Sequence, residues 1–281
     1  MQHFRAMDIE RFWDLIERAR TAAGPAADQA VRDFDEPGDD PDRDYWDFDD
    51  EQFREVLANR DDLIRISSDT SADLNAAEEA EEEDDDLDDL EDEEDVTDPV
   101  ALALLELLTQ LSAAEIAAFD NIFEDVRATA ESQDVVNAAV LIEHGFLGDD
   151  SFDDFRAGLV ALGRTTFERA VAAPDTLADH PLVREIAAAH DPRWLGREDM
   201  LFVASHAYAI VTGEDEVTFY DFAEAQRPEP PAPVGDEPVD DYWDVDDEVV
   251  ARQRLPRLSD LFYDRSMRNR QRAMEKLGLQ D

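Results

Sequence analysis

From residue 98 to residue 213 the apolar residues recur three and four apart, in runs opened by capping residues and closed by Gly or Pro. That spacing places each run on one face of a helix, and the punctuation sets where each helix starts and stops. Asp98 caps ahead of Pro99, which suits a first helical turn, and the apolar run 100–111 follows. Ser112 and Glu115 form a capping box, with Ile116, Phe119, Ile122, Phe123 and Val126 on the inner face. Residues 135–142 are a further apolar segment. Ser151 with Asp154 has the form of another capped start, which puts Asp153 and Asp154 in a first turn and Phe152, Phe155, Leu159 and Leu162 inside, up to Gly163. Runs 167–173, 181–189 and 197–212 follow, the first ended by Pro174 and the last by Gly213.

Residues 7–23 have the same character: Asp8 caps, Ile9, Phe12, Trp13, Ile16 and Ala19 share a face, and Gly24 with Pro25 stops the run. No segment alternates in the manner of a strand. The fold expected is all-α: a compact multi-helix domain with a disordered acidic insertion and a C-terminal helical tail. The domain takes residues 7–32 and 99–226. Residues 33–98 are the insertion, residues 227–240 a Pro-rich linker, and residues 241–281 an acidic-aromatic motif with a basic helical tail.

Charge separates these parts. Residues 33–98 hold 32 acidic and 4 basic residues, and within them 15 of the 18 residues at 78–95 are acidic. A like-charge block of this density stays solvated and does not bury a core, although residues 51–66 carry an amphipathic helical pattern. The remaining 215 residues still hold 42 acidic against 21 basic, so the acidity is general. The cations are 24 Arg and one Lys, Lys276. An Arg-over-Lys, carboxylate-covered surface fits the cytoplasm of a salt-accumulating halophile, where a Debye length of about 3 Å at 1 M salt screens self-repulsion. The same charge disfavours direct binding to nucleic acid or to an anionic membrane. The tail is the exception, with 8 basic and 3 acidic residues over 252–276.

The chain has no Cys, which removes disulfides, thiolate catalysis and cysteine metal sites. Met1 to Met7 lacks the apolar centre of a signal peptide, and no stretch of about 18 apolar residues is present. His180, His190 and His206 are scattered without metal-ligand spacing, and no Gly-rich phosphate loop or nucleophile elbow occurs. No cofactor, no metal and no catalytic residue are expected.

One eight-residue motif is repeated. Asp44, Tyr45, Trp46, Asp47, Phe48, Asp49, Asp50 and Glu51 recur as Asp241, Tyr242, Trp243, Asp244, Val245, Asp246, Asp247 and Glu248, with seven of eight positions identical. An aromatic pair set among carboxylates can fill an apolar notch while its charges meet Arg on the rim. Each copy therefore reads as a linear docking segment, on the helical domain itself or on a protein partner. Tyr45, Trp46, Tyr242 and Trp243 are the contact residues of that reading. The alternative is that each copy is only the acidic first turn of its own following helix. A half-loop for Ca²⁺ is the weakest reading, because the turn Gly and the trailing bidentate Glu are missing.

A second cluster lies between residues 144 and 164. Asp150, Asp153, Arg156 and Arg164 would serve an enzyme or small-ligand protein as base and anion clamp, or would simply pair on a helix surface. The acidic run 78–95 offers a third class, in which carboxylates neutralise a basic partner or mimic nucleic acid.

The helical segments together resemble a prokaryotic family, the domain of unknown function numbered 4240. The resemblance is carried by FWDLI at 12–16, SAAEIAAFDNIF at 112–123, NAAVLI at 137–142, DSFDDFR at 150–156, LVALGR at 159–164, Phe167 and PDTLA at 174–178. It spans residues 7–32 and 99–180, and WDVDD at 243–247 with LPRL at 255–258 resembles the tail of some members. The chain departs from the family at Asp134, Val135 and Val136, where aromatics are usual, and at Gly158, where Trp is usual. The resemblance implies the fold and brings no activity with it. The function expected is that of a non-enzymatic interaction module.

Overall fold

A computed structural model describes residues 7–32, 96–145, 147–189, 192–227 and 242–277. Among these residues there are eleven α-helices, two 3₁₀ turns and one pair of two-residue strands. The all-α expectation is therefore borne out. Residues 33–95, with the first copy of the motif and the helical pattern at 51–66, lie outside the described residues.

Helix α1 (Ile9–Ala23) starts where the sequence places it: Asp8 Oδ1 accepts the Arg11 amide at 2.8 Å. Phe12, Trp13, Ile16 and Ala19 are buried and Leu15 joins them, whereas Ile9 points outward at 41% exposure. A 3₁₀ turn (Gly24–Asp28) then leads to β1 (Val31–Arg32). Helix α2 (Pro99–Leu108) is capped by Asp98, whose Oδ1 accepts the amides of Val100 and Ala101. Helix α3 (Ala113–Ala128) has the expected capping box between Ser112 and Glu115. Phe12, Phe119 and Phe123 meet with ring centroids 5.0 and 6.5 Å apart, forming the centre of the core.

Helix α4 (Gln133–Ile142) follows, and then α5 (Asp149–Ala161). Here the structure corrects the sequence: α5 begins two residues before Ser151, with Gly148 at the N-cap. Asp149 and Asp150, not Asp153 and Asp154, occupy the first turn, where exposed amides and the helix dipole favour carboxylates. Helix α5 touches α1, α3, α4, α6 and α8. Gly158 explains one such approach. A Cβ there would stand 2.2 Å from the Leu195 carbonyl oxygen, which leaves no room for the Trp usual in the family.

Helix α6 (Arg164–Ala172), a second 3₁₀ turn (Pro174–Asp179) and α7 (Pro181–Ala188) lead to β2 (Arg193–Trp194), which pairs antiparallel with β1. Helix α8 (Asp199–Thr212) ends on Gly213. Helix α9 (Glu216–Gln226) packs on α3 and α8; its apolar pattern is thin and was not distinguished in the sequence. The tail forms α10 (Glu248–Arg254) and α11 (Pro256–Leu277). Helix α11 lies on α4, α7 and the second 3₁₀ turn.

Candidate functional site

The place where the second acidic-aromatic copy meets the domain is built by α4 and α11. Ser132 caps α4, which sets Asp134 and Asn137 one turn apart on the side facing residues 242–247. Trp243 is 5% exposed. Its indole Nε1–H donates to Asp134 Oδ1 at 2.6 Å, and its carbonyl oxygen accepts from Asn137 Nδ2 at 3.0 Å. The Arg254 guanidinium lies 5.7 Å from the indole centroid and 3.6 Å from Asp134, closing the rim. Val245 is buried at 3% exposure. Tyr263 donates its hydroxyl to the Asp246 carbonyl oxygen at 2.8 Å, and Arg270 pairs with the Asp246 carboxylate at 3.0 Å. Tyr242 stands half exposed beside this socket.

The remaining carboxylates of the copy also have structural work. Asp244 accepts the Asp246 amide, and Asp247 caps α10 through the amides of Val249 and Val250. In one segment Trp243 is thus seated on the helical domain and Asp247 caps the helix that follows. Among the described residues no group of three or more Asp, Glu or His is placed to hold a metal ion.

Helix α11 is held by the polar groups at the end of α4. Ser266 donates to the Leu141 carbonyl oxygen at 2.8 Å and Asn269 to that of His144 at 3.2 Å, satisfying acceptors that a helix terminus leaves open. His144 adopts φ 61° and Gly145 φ 96° there. A Cβ on Gly145 would lie 2.4 Å from the Ser266 carbonyl oxygen, so the approach of α11 to α4 requires glycine. The basic tail is engaged within the chain: Arg257 pairs with Asp179, and Arg265 donates to the Ile186 and Ala189 carbonyls that end α7.

His144 and Glu143 stand behind this junction. His144 is fully buried, with its Nε2 2.8 Å from the Arg193 carbonyl oxygen, and burial together with nearby Arg265 lowers its pKa to about 4. Glu143 Oε1 accepts the amides of Leu195 and Gly196, yet burial outweighs these bonds and raises its pKa to about 8. Deeper still, Arg197 is 1% exposed, 2.6 Å from Asp98, and donates to the carbonyls of Ala27 and Gln29. Asp98, the last residue of the range read as insertion, thus belongs to the core.

The second sequence cluster does not converge. Asp150 is exposed in the first turn of α5. Asp153 bonds Arg127 at 2.9 Å and also Arg156, and Arg156 lies 4.8 Å over Phe152. Arg164 starts α6, beyond the far end of α5, and makes exposed pairs with Glu10 and Glu168. Asp153 alone of the four borders a cleft, of about 370 Å³, between α3, α5, α8 and α9. Asp120, Arg127, Phe202 and Tyr220 also line it. Burial, with Glu124 close by, raises Asp120 to a pKa of about 7. Asp154, off the cleft, is likewise raised to about 7 by burial and by Glu198 and Asp153. Tyr45 and Trp46 lie outside the described residues.

Residues 79–210 match the model of a family described as Protein of unknown function (DUF4240). This is the family the helical segments resemble. The match reaches α8, past the segments quoted for the resemblance, and does not include α1. No curated protein and no solved structure matches the chain. No helix among the described residues is long and apolar enough to cross a membrane. Asp134, one of the departures from the family, is the residue that receives the Trp243 indole.

Proposed function

We propose that the protein is a non-enzymatic interaction module whose α4–α11 socket recognises acidic-aromatic linear segments, in the cytoplasm of a salt-accumulating halophile. The observation that carries this reading is the seating of Trp243, with its indole on Asp134, its carbonyl on Asn137 and the following Asp246 on Arg270. Each contact reads a different feature of the segment: an indole, a backbone carbonyl and a carboxylate. Arg270 of α11 supplies the charge complementarity to the segment's Asp246. The splayed arrangement of Asp150, Arg156 and Arg164 supports an interaction role over catalysis from that region.

The test is binding of a labelled peptide of residues 240–249 to the full-length chain carrying both Trp46→Ala and Trp243→Ala, measured by fluorescence anisotropy in molar KCl. Saturable binding that is lost with Trp243→Ala in the peptide is expected. Equal binding of the two peptides contradicts the reading.

A second reading, a small-ligand protein, is favoured by the cleft beside Asp153 and Asp120. A carboxyl that titrates near neutrality against two aromatic rings suits a small organic cation. Calorimetry with such amines at pH 8 against pH 6 tests it: heat of binding at pH 8 that vanishes in Asp120→Asn supports it, and none at either pH removes it.

A further inference from the structure

We propose that the α4–α11 socket has two interchangeable occupants in this chain, the seated segment 242–247 and its twin at residues 44–51. The inference rests on the socket reading above and adds the identity of a second ligand. Every feature the socket reads is present in the twin. Trp46 stands for Trp243 with its indole N–H, Asp49 for Asp246, and Asp50 and Glu51 for Asp247 and Glu248. The one difference falls on a buried position, where Phe48 stands for Val245. The likeness then stops. Arg54 stands for Ala251, which is fully buried, and Leu57 for Arg254. The repeated unit is therefore the docking segment and not the helix behind it.

The tether is long enough. The described chain pauses at Arg32, which pairs with Arg193. The Arg193 carbonyl contacts His144, the His144 carbonyl contacts Asn269, and the next residue, Arg270, holds Asp246. Arg32 is thus linked to the α11 end of the socket through three successive contacts. Eleven residues lie between Arg32 and Asp44, and the twelve steps from one to the other, at about 3.3 Å each, reach roughly 40 Å. A tethered segment of that length is presented at an effective concentration of the order of millimolar.

The seated segment keeps the advantage, because Phe48 overfills a pocket shaped for Val and the Arg254 stack is native to its own chain neighbour. Exchange is then a competition in which one copy is held and the other is free to meet a second molecule.

The experiment uses the full-length chain with both Trp46→Ala and Trp243→Ala, so that neither tethered copy competes, and labelled peptides of residues 43–52 and 240–249 in molar KCl. The 43–52 peptide is expected to bind five- to a hundred-fold more weakly than the 240–249 peptide. Phe48→Val should recover most of that difference, and Trp46→Ala should abolish binding. Non-specific apolar association gives the opposite order, with Phe48 tighter than Val. Binding of the 240–249 peptide without the 43–52 peptide overturns this inference and leaves the socket reading intact; binding of neither overturns both. Hydrogen exchange on the full-length chain with Trp243→Ala alone gives a second measurement, independent of the double variant. Amides 44–51 should slow at least tenfold relative to the unaltered chain, and unchanged exchange there overturns the inference.

Discussion

Replacing Arg197 by Met tests how the N-terminal turn is locked to the rest of the domain. Arg197 is 1% exposed and Asp98 6%, with the charges 2.6 Å apart. Removing the cation strands a carboxylate that keeps only the two amides of its own helix cap. It also strips donors from the Ala27 and Gln29 carbonyls. Breaking one side of a buried pair costs about 3–5 kcal/mol, and each orphaned carbonyl about 1 kcal/mol or more. Because Asp98 retains its cap bonds, we expect about 4 kcal/mol for Arg197→Met, a fall in Tm of roughly 10 °C at this size. Adding Asp98→Asn removes the stranded charge and keeps a capping oxygen, so the double variant should recover about half, on the order of 2 kcal/mol. The assay is urea unfolding followed by circular dichroism at fixed KCl. A buried pair is little screened, so the deficit should persist between 0.2 and 2 M salt. A single variant within about 1 kcal/mol of the unaltered chain, or a double variant no better than the single, refutes the reasoning.

Other consequences follow from the same structure. Glu143, raised to about 8, keeps its proton in the fold at pH values where the unfolded chain has lost it, so its contribution is present below about 4.5 and is lost as pH climbs to 8. Glu143→Gln keeps an oxygen for the Leu195 and Gly196 amides without ionising, so its Tm relative to the unaltered chain should rise between pH 5 and pH 8.5; a pH-independent difference counts against this assignment. Gly145→Ala meets both a φ of 96° and the Ser266 carbonyl, and should cost about 2 kcal/mol or more and loosen α11, read as loss of exchange protection in 256–277. With a formal net charge of −49, the chain should gain stability as KCl rises from 0.1 to 2 M, and an unchanged Tm over that range removes the halophilic reading.

The parts of the fold that sequence revealed are those set by neighbours in the chain. The Asp8 and Asp98 caps, the Ser112–Glu115 box and the Gly213 stop each depend on residues within four positions, and all are present. The start of α5 was misread because Ser151 with Asp154 has the spacing of a box, while Asp149 and Asp150 extend the helix by a turn of favourable charge. The site was half legible. The repeat singled out Trp243, and the composition singled out the basic tail, but their common seat on α4 joins residues more than a hundred apart. The same holds for Asp98 with Arg197: a capping Asp and an Arg look ordinary until packing puts both inside. Asp150, Arg156 and Arg164, close in sequence, were separated by the length of one helix, which no local pattern announces.

The most direct test of the α4–α11 socket is hydrogen exchange of residues 242–254 in the full-length chain, with and without Trp243→Ala, in molar KCl. The structure predicts protection of the Val249 and Val250 amides and of the segment before them in the unaltered chain, and its loss when the Trp243 indole is removed. Exchange at unfolded-chain rates in the unaltered protein, or protection that ignores the loss of Trp243, would contradict it.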